Sequence, residues 1–392
     1  MSLRRRIEQE LRQRGPMPFS RYMELCLYEP GLGYYARRAS QFGRAGDFYT
    51  SSDVQAVFGR LLARQFDEMW RALGSPEQIE VLELGPGRGL FAQDVLDWSE
   101  KKFPQFFQAV HYELAENSPA LRERLQATLP RHFQSGKASL SPSPSAAEAA
   151  NRKDVSVPTE VVPSPRSSPT IVFANEFFDA LPVEVVGSKG KLSIDVRNER
   201  WVETWAPASA EELEFLDRYS VHPEPGERVE VSWLAHQYMA GVAQSLERGF
   251  VIVVDYGYTR NEQLQGRHRG TVMTYRRHSA SPNPYEAPGE QDITCHVNFT
   301  ALASAAEQHG MHAHQLLTQS QFLIGIGESN QFADAFDECR LPEERAKVAL
   351  QLKHLVTPAG LGETFHVLVA SKGVDAASVD ELSGLRFGRR QA

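Results

Sequence analysis

The residues best placed to do chemistry lie in one stretch, IEVLELGPGRGLFAQDV at 79–95, where Glu83 precedes Gly85, Gly87 and Gly89 at alternate positions. Ile79, Val81 and Leu84 are interleaved with Glu80 and Glu83 as in a strand, and Leu90, Phe91, Asp94 and Val95 repeat at helical spacing. The glycines therefore form the turn from strand to helix. There they admit positive φ and let a ligand reach the backbone without meeting a Cβ. A dinucleotide fingerprint sets its third glycine three residues after the second, packing helix on strand beside a pyrophosphate; here it comes one step sooner. A carboxylate two residues before the first glycine also favours a cationic ligand over a phosphate. The plain alternative is a glycine-rich turn with no ligand.

Further polar residues fall where strands should end. Residues 109–115 alternate through Val110, Tyr112 and Leu114 and stop at Glu116, and an acidic residue just past the second strand of an open α/β sheet can accept both hydroxyls of a ribose. Glu113 is the competitor, but its place within the strand favours Glu116. The apolar run TIVFAN at 170–175 delivers Asn175, Glu176 and, a turn later, Asp179, ahead of Pro182; helix capping is the other reading of Asn175 and Glu176. The apolar strand at 250–255 ends in Asp255-Tyr256-Gly257. Two loops are chemically dense: the Gly- and Tyr-rich 28–53, closing on Asp47, Thr50 and Ser51, and the segment after a strand at 270–275, with Asp292, Thr294, His296 and Asn298. Capping and turn-making rival a ligand role at 47–52. His278, His296, His312 and His314 lack zinc-helix spacing and the three cysteines form no quartet, so no metal is assigned.

These residues need a frame, and a chain of 392 residues, 41% hydrophobic and 10% aromatic, can build one. No window approaches the roughly 18 to 20 apolar residues of a membrane span. A net charge of -8 argues against nucleic acid, and arginines at both ends read as solvated. Glu8 and Glu10 interrupt the basic N-terminus, unlike a secretory signal or transit peptide. Three scattered cysteines suit a reduced, cytoplasmic protein. The expected layout is an N-terminal helical segment and covering loop at 1–70, with helices at 3–13 and from an N-cap at Ser20. A core follows at 71–134, 170–182 and 249–370, with an antiparallel insertion at 183–248 and a tail at 371–392. Residues 135–169 are Ser/Pro-rich and cannot repay the entropy of ordering, which predicts a mobile insertion. The third strand is then either very short or drawn from 155–162. A homodimer is compatible with this layout.

GDFYTS at 46–51 with FG at 58–59, ELGPGRG at 83–89, ENSPALRE at 116–123, ANEFFDALPVE at 174–184, VDYG at 254–257 and APGEQDITCHVNF at 287–299 occur in one order. In that order they resemble the MidA-like methyltransferases, from about residue 7 to 370. The resemblance implies an α/β fold, the class I methyltransferase Rossmann-like sheet with N-terminal helices and an antiparallel insertion, and S-adenosyl-L-methionine as cofactor. It places Glu83, Gly85, Gly87, Gly89, Glu116 and Asn175 on the cofactor, with Asp47, Thr50 and Ser51 close by. Glu176 and Asp179 become the catalytic pair, and Asp292 and His296 fall on the substrate side. Mitochondrial members act in respiratory complex I assembly as protein arginine methyltransferases, so the implied acceptor is an arginine of a respiratory-complex-type subunit. Rival readings are a small-molecule methyltransferase and a noncatalytic assembly factor; a nicotinamide oxidoreductase is opposed by the glycine spacing. Ser52-Asp53 replaces the family's more usual Pro-Glu, and the 135–169 insertion interrupts the third-strand region. The lack of a transit segment suggests a bacterial cytoplasmic member.

Overall fold

A computed structural model describes residues 2–37, 56–142, 165–266, 269–276 and 279–389. Asp47, Thr50, Ser51 and the stretch 155–162 lie outside them.

The glycine-bearing strand Ile79–Leu84 is central to a mostly parallel sheet, with Val110–Ala115 on one side and Thr170–Asn175 on the other. Leu82 stands opposite both Glu113 and Val172. Beyond Thr170–Asn175 come parallel Gly249–Tyr258 and antiparallel Phe365–Lys372, with short His312–Ala313 and Leu317–Thr318 along that edge. Ala138–Leu140 completes the other edge, parallel to Val110–Ala115. Among the described residues the third strand is very short. Its three residues precede the Ser/Pro run.

The central strands read as near-continuous apolar runs because both sheet faces are covered. On one face Phe58 and Phe66 of helix Ala56–Ala72 and Phe91 of helix Leu90–Lys102 meet Phe173, whose ring stacks on Phe91 at 4.4 Å. On the other, helices Trp233–Ser245 and Phe299–Gln308 cover Leu84, Val172 and Val253.

Four strands, Glu184–Gly187, Gly190–Arg197, Arg200–Ala206 and Arg228–Val231, form the expected antiparallel addition. Met17–Pro18 joins it through Ile194 and Ser193, so the N-terminal segment shares this sheet's core, where Met17, Phe19 and Tyr22 pack with Val185, Ile194 and Ile293. Helix Phe19–Tyr28 begins directly after Pro18, and Ser20 is not its cap; the hydroxyl donates to Glu184 Oε1 at 2.6 Å. The dense loop after 270 also holds structure that its prolines and glycines conceal: Met273–Arg276 pairs with both Ser279–Ser281 and Asp292–Thr294.

Two boundaries move. The insertion is narrower than 135–169, because Arg166 donates to Glu80 Oε2 at 2.5 Å and Glu113 Oε2 at 2.7 Å, and its N–H to Ser245 O at 2.8 Å. The C-terminal tail is packed: Val379, Leu382 and Leu385 are buried in the sheet-face core, and Gly384 N–H donates to Gln65 Oε1 at 2.9 Å. Ser383 donates its N–H and hydroxyl to Glu68 Oε2 at 2.8 and 2.7 Å. A buried donor left unpaired costs about 1–3 kcal/mol. Glu68→Ala should therefore lower stability by about that amount in urea unfolding, and an unchanged midpoint would show that this docking contributes nothing.

Candidate active site

The three glycines all take left-handed backbone, with φ of 64° at Gly85, 53° at Gly87 and 78° at Gly89. Their surroundings differ. A Cβ at Gly85 would lie 2.9 Å from the Phe177 ring, and one at Gly89 2.7 Å from Leu125 Cδ2 and 2.8 Å from Leu129 Cδ1. At Gly87 it would meet nothing within 4 Å. The outer glycines permit close packing and the middle one leaves the backbone open to a ligand. Helix Leu90–Lys102 starts at Gly89 with no side-chain cap among the described residues, so its N–H donors and dipole are available to a carboxylate. An open glycine turn, an uncapped helix start and acidic neighbours fit S-adenosylmethionine, which carries a carboxylate, an ammonium, a sulfonium and a ribose.

Glu83 lies in the strand leading into the turn, only 5% exposed, and accepts from Tyr112 Oη at 2.9 Å. Burial pushes its carboxyl up to about 8, against the pull of that hydrogen bond. Glu116 stands half-buried at the next strand's end, its Oε1 accepting from Ser118 N–H at 2.7 Å while Arg122 donates to its backbone oxygen at 2.7 Å. Burial pushes it up to about 7. Glu113 is taken up structurally, one oxygen accepting from Ser141 Oγ at 2.5 Å and the other from Arg166 at 2.7 Å.

At the end of Thr170–Asn175 the chain makes a tight turn and not a capped helix. Glu176 takes φ 50°, a conformation non-glycine residues seldom hold, and such strain clusters at functional sites. Its N–H donates to Val254 O at 3.0 Å, and Asn175 Nδ2 donates to its Oε1 at 3.2 Å. Phe177 and Phe178 anchor the turn on Tyr238, with ring centroids 5.1 and 6.1 Å away.

Asp255 supplies the remaining restraint. Its Oδ2 accepts from the N–H groups of Phe178 at 3.1 Å and Asp179 at 3.4 Å, and its Oδ1 from Tyr256 N–H at 2.9 Å. Burial raises its carboxyl well above the usual range, and the charges of Asp179 and Glu176 add to this. Asp179 is 4% exposed and accepts from the Tyr256 hydroxyl; burial pushes it up to about 6, against that bond. Cys295 N–H donates to the Asp179 carbonyl at 3.0 Å, tying the turn to strand Asp292–Thr294. Asp292 accepts from Tyr35 Oη at 2.8 Å, and the half-buried His296 sets its ring edge-on to Tyr256 at 5.5 Å.

The structure thus gathers Asn175, Glu176 and Asp179 in one turn and brings Asp292 and His296 to its flank. Tyr28 and Tyr35 were not read as site residues, yet Tyr28 Oη donates to Ala180 O at 2.9 Å, beside Asp179, and the phenols feel both Asp179 and Asp292. The tyrosine density of YEPGLGYY was the signal available.

Alanine at Gly87 or Gly89 incurs about 1–2 kcal/mol for left-handed backbone. Gly89→Ala adds the collision with Leu125 and Leu129, about 1–3 kcal/mol by analogy with overpacked cores. Gly89→Ala should be the less stable variant, and Gly87→Ala the one that loses more affinity for S-adenosylhomocysteine per unit of stability lost; calorimetry and thermal unfolding check this ranking. Glu83, Asp94, Glu116 and Asp179, at about 8, 7, 7 and 6, all hold protons more tightly folded than unfolded. From about pH 4 to 8 the native state binds more protons, so stability falls as pH rises. The ligand-free unfolding temperature should be lower at pH 8 than at pH 5.5. Affinity for S-adenosylhomocysteine should climb through pH 7 as Glu116 ionises and becomes an acceptor for both ribose hydroxyls.

Comparison with known proteins bears on the chain's family and fold. A family model for S-adenosyl-L-methionine-dependent methyltransferases matches residues 61–317. The mitochondrial protein arginine methyltransferase NDUFAF7 homolog of Drosophila melanogaster is 30% identical, across 98% of this chain and 88% of the relative. The Homo sapiens protein arginine methyltransferase NDUFAF7 is 25% identical, across 92% of this chain and 81% of its own length. A Burkholderia thailandensis protein crystallised with S-adenosyl-homocysteine superposes with a TM-score of 0.79 at 27% identity, covering 97% of this chain and 94% of that one. The fold, the open glycine turn and these matches agree, and the chain belongs to the MidA-like family of S-adenosyl-L-methionine-dependent methyltransferases.

Proposed function

We propose that this methyltransferase acts on an arginine side chain of a partner protein, a subunit of a respiratory-type complex, in the cytoplasm. The observation that carries the reading is the acidic character of the reaction side: Glu176, Asp179 and Asp255 converge where Thr170–Asn175 ends beside Gly249–Tyr258, next to the glycine turn. A guanidinium, with pKa above about 12, is a poor nucleophile until carboxylates orient it and take up its charge and proton. The names of the Drosophila and human relatives support the same acceptor. Buried free thiols at Cys26 and Cys295 suit a reducing compartment.

When bound, S-adenosylmethionine supplies the electrophilic methyl group. The chain's share is orientation in a preorganised pocket. Glu116 takes the ribose hydroxyls. Asp255 fixes the 176–179 turn, Tyr256 holds Asp179 in place, and Glu176, raised on its left-handed backbone, aligns the acceptor nitrogen. Forming the new N–C bond leaves one proton to be removed from that nitrogen, and Glu176 is the group that takes it.

Glu176→Gln should leave S-adenosylhomocysteine affinity within about twofold while cutting turnover by about 10²–10⁴. Turnover is read as methylarginine in a labelled lysate from cells lacking the protein. Unchanged turnover removes Glu176 from catalysis, and label confined to other residues or to small molecules overturns the acceptor.

A further inference from the structure

Resting on the arginine reading above, we propose that Tyr28, Tyr35 and Tyr275, together with Asp179 and Asp292, form the subsite that receives the acceptor guanidinium. The five groups come from five separate elements of the chain. Tyr28 ends helix Phe19–Tyr28, Tyr35 lies in the short helix Tyr34–Arg37, Asp292 and Tyr275 face each other in paired strands, and Asp179 lies in the turn after Thr170–Asn175. The Tyr28 and Tyr35 rings meet with centroids 5.6 Å apart and planes tilted by 31°. Tyr35 Oη fixes Asp292 Oδ1 at 2.8 Å, and Tyr28 Oη fixes the Ala180 carbonyl at 2.9 Å.

All three tyrosines keep partial exposure while both carboxylates are buried, so rings line the approach and acids form its floor. The negative charges of Asp179 and Asp292 act on each of the three phenols, which places the five groups around one region. The charge of Glu116 also reaches Tyr28, so the region adjoins the carboxylate assigned to the cofactor ribose, as a methyl acceptor's site must. A separate observation points to a missing ligand. Asp179 Oδ1 is buried and is met by no side-chain donor among the described residues, only the nearby N–H groups of Asp179 and Ala180 acting on this carboxyl. A buried carboxylate oxygen short of donors is costly, and a bound cation with N–H groups removes that cost.

Aromatic faces and carboxylates together select cations, and the planar guanidinium suits them best. It lies flat on a phenol ring while its N–H fork meets a carboxylate edge-on. An ammonium of similar charge has neither the plane nor the fork.

The test uses the full chain saturated with S-adenosylhomocysteine, titrated by NMR with N-acetyl-arginine amide and N-acetyl-lysine amide. The arginine probe should bind more tightly than the lysine probe. Asp292→Asn, which keeps an acceptor for Tyr35 but removes the charge, should weaken the arginine probe about tenfold or more and leave S-adenosylhomocysteine affinity within about twofold. Tyr275→Leu, at the exposed side, should weaken it several-fold and decides the matter if Asp292→Asn fails to fold. Equal affinity for the two probes, an arginine affinity untouched by the variants, or a parallel fall in S-adenosylhomocysteine affinity would each overturn the subsite. Methylarginine formed equally by wild type and Asp292→Asn would reject the subsite and keep the activity. Arginine binding that depends on Asp292, with no methylarginine in the labelled lysate, would keep the subsite and reject the activity.

Discussion

One carboxylate, that of Asp255, fastens the turn leaving one strand to the neighbouring strand, and the reaction side of the molecule hangs from it. Parallel pairing of Thr170–Asn175 with Gly249–Tyr258 brings Asn175 level with Val254; after Asn175 one chain turns out of the sheet while the other runs on, pairing Asp255 with His366 and Tyr256 with Phe365. The departing turn keeps one further backbone bond to that strand, from Glu176 N–H to Val254 O at 3.0 Å. Asp255 continues the connection by accepting N–H groups from Phe178 and Asp179 on one segment and Tyr256 on its own. Because it approaches two other acids, the arrangement is electrostatically expensive, and the backbone donors are what make it tenable.

The expense is met elsewhere in the fold. Stacked phenylalanines on one sheet face, Phe91 on Phe173 and both near Phe66, provide dense apolar burial directly behind the glycine turn. Phe177 and Phe178 do the same on the opposite face against Tyr238. A strained Glu176 and several buried carboxyls persist because the elements on either side are over-determined by packing. Rigid scaffolding and an unfavourable polar site are thus two aspects of one structure.

Much of this was legible from spacing alone. The alternate glycines after Glu83, the polar ends of TIVFAN and the run into Asp255 follow from strand periodicity, and the sheet placed each of them on the same rim. Position within the strand set Glu113 apart from Glu116, and Glu113 is held by Arg166. What stayed hidden depended on distant partners. Ser20 has the makings of a helix cap, but Pro18 already starts the helix and Glu184 claims the hydroxyl. The C-terminal residues look like a polar tail until Glu68 and Gln65, more than three hundred positions away, provide acceptors for their backbone. Tyr28 and Tyr35 acquire meaning only when Asp292 arrives beside them on a strand too short to be recognised.

Glu113 has a double attachment with an architectural consequence. One of its oxygens is bonded by Ser141, just before the Ser/Pro-rich stretch, and the other by Arg166, just after it. The two ends of that stretch are therefore clasped at a single residue. Closing a longer hoop costs only about 0.6 kcal/mol for each doubling of its length. Chain can be added, trimmed or exchanged between the clasped ends at small energetic cost, which makes this the natural place for lineages to diverge in sequence and for foreign domains or tags to be grafted.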